Sequence, residues 1–96
     1  MLHGYLDLPT FTFFDEKNIW TGSVFQNFNY RIMLKTNDDA KELYGVIWEG
    51  KKCFDLVDSS EYIEEFHEEF SPEGLEEMIA KLNERVEKYK QNGGLF

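Results

Sequence analysis

SPEGLEEMIAKLNERVEKYKQNGG, residues 71–94, reads as one long amphipathic helix with both ends marked. Ser71 supplies an N-cap hydroxyl for the orphan amides of the first turn. Pro72 falls at the first helical position, where its missing N–H costs nothing. Glu73, Glu76 and Glu77 lie near the positive end of the helix dipole, and Lys81, Arg85, Lys88 and Lys90 toward the negative end. Asn92, Gly93 and Gly94 provide a left-handed stop. The spacing therefore predicts a helix over 72–91.

Its apolar residues, Leu75, Met78, Ile79, Leu82, Val86 and Tyr89, recur at helical spacing and form one stripe. Each side chain fully buried from that stripe contributes roughly 1.5–3 kcal/mol. A lone helix has nothing to bury it against. The preceding residues must supply a surface.

Those residues are rich in aromatic and β-branched side chains. Phe28–Thr36 alternates cleanly, with Phe28, Tyr30, Ile32 and Leu34 on one side and Asn29, Arg31, Met33 and Lys35 on the other. Further strands are expected over 10–14, 19–25, 43–48 and 51–56. The first two read as a hairpin around Asp15–Asn18, with Pro9 restricting how early the first can begin. Gln26-Asn27 and Asn37-Asp38-Asp39 are short connections, and Glu49-Gly50 turns the chain into the fifth strand. Within 43–48, Leu43, Gly45 and Ile47 share one face and Tyr44, Val46 and Trp48 the other, so both faces are apolar. The short connections favour an antiparallel meander of four to five strands with the C-terminal helix on one face. The fold class is α+β, as one domain over 1–96.

Asp58–Phe70 admits two readings. Asp58-Ser59-Ser60-Glu61 resembles a cap, and Tyr62, Ile63, Phe66 and Phe70 have near-helical spacing, which gives a short helix over 59–67. The alternative is an irregular or extended approach to Ser71. The β-prone character at the other end begins at Tyr5, and Leu95-Phe96 is expected to fray.

Charge is unevenly distributed. Residues 1–57 carry eight acids and six bases, whereas 58–96 carry eleven acids and four bases. No base interrupts the acids from Asp58 to Glu77. Such a field repels phosphate backbones, so direct nucleic-acid binding is not expected. No apolar run approaches the roughly 20 residues needed to span a bilayer. The N-terminus also lacks the basic flank and apolar core of a signal peptide. A single cysteine, Cys53, excludes an internal disulfide framework, and a cytoplasmic setting follows.

No catalytic, cofactor-binding or metal-binding constellation stands out. Cys53 has no histidine near it in sequence and reads as a packing residue. His67 with Glu64 and Glu68 could approach a cation on a helix, but no HExxH, CxxC or calcium-loop spacing accompanies them. The glycines lack P-loop or dinucleotide spacing.

Two features survive. Surplus apolar surface on the sheet points to Trp20, Tyr44 and Trp48 as an exposed patch for a protein partner or a second copy in a homodimer. The acidic run, with Glu64, Glu65, Glu68 and Glu69 at its centre, could steer a cationic partner. The chain is therefore expected to be a small, non-enzymatic, intracellular binding or accessory module, bacterial in style. One alternative is an acidic nucleic-acid mimic that occupies a basic protein. Another is a ligand-binding protein or enzyme with a pocket between sheet and helix, for which Tyr30, Arg31 and His67 are the candidates.

Overall fold

The computed structural model describes residues 2–4, 6–25 and 27–94. Expectations that involve Tyr5, Gln26 and Leu95-Phe96 lie outside the described residues at those positions. The architecture is α+β: a four-stranded antiparallel sheet followed by a long C-terminal helix packed against it. In chain order the elements are β1 (Leu2–His3), β2 (Leu6–Asp7), α1 (Phe11–Asp15), β3 (Trp20–Val24), β4 (Phe28–Asn37), β5 (Ala40–Glu49), β6 (Glu64–Glu69) and α2 (Pro72–Gln91). β1 and β2 pair separately, and the main sheet runs β3-β4-β5-β6 with every neighbour antiparallel.

α2 is bounded by its own sequence. Ser71 Oγ accepts the Gly74 N–H at 2.9 Å, and Pro72 opens the first turn. At the other end Gly93 and Gly94 adopt positive φ. The Gly94 N–H donates to the Tyr89 carbonyl and the Gly93 N–H to the Lys90 carbonyl, which completes a Schellman stop. Leu75, Met78, Leu82, Val86 and Tyr89 are buried against one sheet face. That face is built from Val24, Phe28, Tyr30, Ile32, Leu43, Ile47 and Phe66. Leu6, Leu8 and Phe14 extend the same core.

The segment 10–14 is not a strand. Residues 11–15 form a short helix, which replaces the expected hairpin with β3. A helical turn puts Phe11 and Phe14 three residues apart on one side, whereas a strand would send them to opposite faces. Phe14 enters the core and Phe11 packs on Phe70 with ring centroids 4.8 Å apart. Tertiary packing overrides the β-propensity of the phenylalanines.

Residues 51–56 are not a strand either. Both sides of β5 are occupied, by β4 and β6, so this segment has no edge of that strand to pair with. Gly50, at φ +109, turns the chain out of β5 in a conformation natural only to glycine. Residues 51–63 then form a strap containing two single 3-10 turns, Phe54–Leu56 and Ser59–Glu61.

The strap covers the second face of the sheet. Tyr44, Val46 and Trp48 are buried beneath it, packed with Phe54, Val57, Tyr62 and the β4 residue Met33. Phe54 stacks on Tyr62, and the Arg31 guanidinium lies 4.2 Å over the Phe54 ring. Trp48 Nε1 donates to the Lys52 carbonyl at 2.9 Å, satisfying its indole N–H. Cys53, expected in the interior, is exposed on the strap.

The helix expected over 59–67 stops after one 3-10 turn and becomes β6. Asp58 accepts from the Ser60 N–H at 3.1 Å and Glu61 accepts from the Asp58 N–H at 2.8 Å, so the cap itself forms. Continuing the helix would stack Glu61 on Glu65, Glu64 on Glu68 and Glu65 on Glu69 at four-residue spacing, which is repulsive. As a strand, the same residues alternate between faces and the backbone pairs with β5.

Candidate functional site

β6 is one of the two edge strands of the sheet, β3 being the other, and no described strand pairs with its outer edge. Its side chains form two rows with different electrostatics. Glu64, Phe66 and Glu68 face α2; Glu65, His67 and Glu69 face the strap side.

The α2-side row is neutralised from within. Glu68 receives a hydrogen bond from Lys81 Nζ at 2.7 Å, and this contact raises the Lys81 pKa above its ordinary value. Glu64 Oε1 lies 2.9 Å from Arg85 Nε, although that N–H is not aligned for a hydrogen bond. Farther along α2, Lys88 pairs with Glu84 at 3.3 Å. Between β6 and α2 runs a groove of about 370 Å³ with Phe66, Lys81, Arg85 and Lys88 among its lining residues. Phe66 is buried at its floor.

The strap-side row keeps its negative charge. Neither Glu65 nor Glu69 has a Lys or Arg partner within ion-pair distance among the described residues. Glu69 accepts from the Ser71 hydroxyl at 3.2 Å. Opposite it on β5 sits Glu42, its direct register partner and a like charge. Glu42 also contacts His67 Nδ1 at 3.0 Å. Burial, with the neighbouring Glu65 carboxylate, pushes the Tyr44 hydroxyl pKa up to about 12.

The structure divides the residues expected to bind a partner. Trp48 is 2% exposed and Tyr44 7%, both under the strap, so the apolar face expected to lie open is closed by the chain itself. Trp20 is half-buried beside Phe13, with its indole N–H buried and unpartnered. Glu64, Glu65, Glu68 and Glu69 are brought together on one edge, but on two faces. Tyr30 is buried under α2 whereas Arg31 and His67 lie on the opposite face, so the three do not converge on a pocket. His67 likewise points away from Glu64 and Glu68, and no cluster of metal-ligating side chains occurs among the described residues.

Sequence reasoning missed the roles of Glu42, Lys81 and Arg85 at this edge. The available signal was the matched spacing of Glu64 with Glu68 and of Lys81 with Arg85, which run antiparallel to each other. Among the described residues, no helix is long and apolar enough to cross a membrane. No protein-family model matches this chain, and no curated protein or solved structure matches it.

Proposed function

We propose that this chain is a non-enzymatic protein-interaction module of the cytoplasm whose β6 edge accepts an extended basic segment of a partner protein. The observation that carries this reading is the outer edge of β6, which no described strand pairs with, beside Glu65 and Glu69, which no Lys or Arg among the described residues neutralises. An open edge offers backbone donors and acceptors to an added strand, and the surrounding charge selects its sign. The cytoplasmic setting rests on the single cysteine.

A second copy fits this edge poorly. Antiparallel pairing of all six β6 residues with themselves would set every glutamate opposite a glutamate. The buried Trp48 and Tyr44 also lend no support to a homodimer through the strap side. A phosphate mimic is less well supported than strand addition, because Glu64 and Glu68 already spend their charge on Arg85 and Lys81.

Hydrogen exchange tests the reading. An extended lysine-containing peptide is expected to slow exchange of the β6 amides, and a proline at its centre is expected to abolish that protection. Unchanged β6 exchange with every basic peptide would reject strand addition.

A further inference from the structure

The two rows of β6 differ enough to specify the sequence pattern of the incoming strand. Side chains of an added strand project alternately to the two faces of the sheet. On the α2 side they would meet Phe66 flanked by Glu64–Arg85 and Glu68–Lys81, a surface whose charges are already balanced. A cation placed there would compete with Arg85 and Lys81, and an anion with Glu64 and Glu68. An uncharged side chain over Phe66 meets neither penalty.

On the strap side the incoming residues would meet Glu65, His67 and Glu69, with Glu42 directly behind Glu69. The Glu42–Glu69 juxtaposition places like charges opposite each other on neighbouring strands. Arg31 on that face is engaged with Thr21 and Phe54, Lys52 with Glu61, and Lys35, the register partner of Glu42 on β4, lies over the Tyr44 ring; none of these is ion-paired with Glu65 or Glu69. An incoming cation is the missing complement.

We infer that the β6 edge is selective for a partner segment in which basic residues alternate with uncharged ones, the basic residues lying over Glu65 and Glu69 and the uncharged ones over Phe66. This rests on the edge reading above and adds the chemistry of the occupant. Net charge alone does not produce this preference, because a peptide of the same composition with its lysines in a block puts cations on both faces. A one-residue slip of the alternating peptide is equally disfavoured, since it exchanges the two sets of side chains.

The test uses the full chain with two peptides of identical composition, one alternating Lys and Val and the other carrying the lysines in one block. Affinity is read by fluorescence anisotropy and the docking position by hydrogen exchange. The alternating peptide is expected to bind about tenfold more tightly. Replacing Glu65 and Glu69 together by Gln should remove most of that preference. The pair Glu64→Gln with Glu68→Gln should keep or widen it, even where overall affinity falls, because the freed Arg85 and Lys81 repel a cation on the α2 side. Should both peptides protect β6 equally, and both variant pairs weaken binding equally, the pattern is refuted while strand addition stands. If neither peptide protects β6, both conclusions fall, and the glutamates serve only to keep the edge from self-pairing.

Discussion

Met78 of α2 lies directly over Gly45 of β5: a Cβ built on the glycine would come within 2.6 Å of the Met78 sulfur. Gly45 is flanked in register by Ile32 and Phe66, so the close approach of helix to sheet occurs at the centre of the core. Gly45→Val is expected to destabilise the fold by about 1–3 kcal/mol through overpacking. Chemical denaturation would measure this. Pairing the substitution with Met78→Ala should recover part of the loss, since the clash is with a flexible side chain.

The strap should open independently of the main core. Phe54 and Tyr62 stack over the sheet, and Phe54 also contacts Trp48 with ring centroids 5.4 Å apart. Phe54→Ala or Tyr62→Ala is expected to red-shift Trp48 emission, read in a Trp20→Phe background, while far-UV circular dichroism changes little. Leu82→Ala, under α2, should instead cost about 2–5 kcal/mol of global stability.

Acid should loosen the strap. The Ser60 backbone N–H donating to Asp58, and the Asp58 backbone N–H donating to Glu61, hold both carboxyls below their ordinary pKa values. Depressed folded pKa values stabilise the closed strap above the unfolded values, and that contribution is lost as pH falls through the folded ones. Trp48 emission is therefore expected to shift as pH drops below about 4.5. Asp58→Asn combined with Glu61→Gln should flatten that transition.

Alkali acts through Tyr44 with the opposite sign. Its hydroxyl is raised to about 12 in the folded state from an ordinary 10.0, so the native protein holds this proton more tightly than the unfolded chain. The contribution is complete below pH 10.0 and is lost as pH rises toward about 12. Tyr44→Phe should remove this part of the alkaline decline in denaturation midpoint. In spectrophotometric titration Tyr44 should ionise late.

The Glu68–Lys81 and Lys52–Glu61 ion pairs should couple unequally. The Glu68 side chain is 12% exposed where Lys81 reaches it, whereas both partners of Lys52–Glu61 are open to water. Double-mutant cycles are expected to give a larger coupling for Glu68–Lys81, and one that survives added salt better.

The C-terminal helix was legible because every device that defines it is local: Ser71, Pro72, the stripe from Leu75 to Tyr89, and Gly93. The alternation of Phe28–Leu34 likewise revealed which β4 residues face the core. Phe11–Phe14 misled because aromatic content favours strands on average, while its placement depends on Phe70, distant in sequence, as well as on the nearer Trp20. The candidate edge was half legible. Its acids were plain as a run, but their division into a neutralised row and a charged row depends on β6 being a strand.

Caps, periodicity and charge order belong to neighbours within a turn or two, so the chain's own order suffices to specify α2 and the core face of β4, whereas which apolar face of β5 meets α2 was settled by the assembled fold. Strand partnership does not. Glu64–Glu69 became an edge only because β5 had one side open, and 51–63 became a strap because no side of β5 remained for it. Those outcomes depend on contacts between residues far apart in the chain, whose energies come into play only once the sheet and helix have assembled.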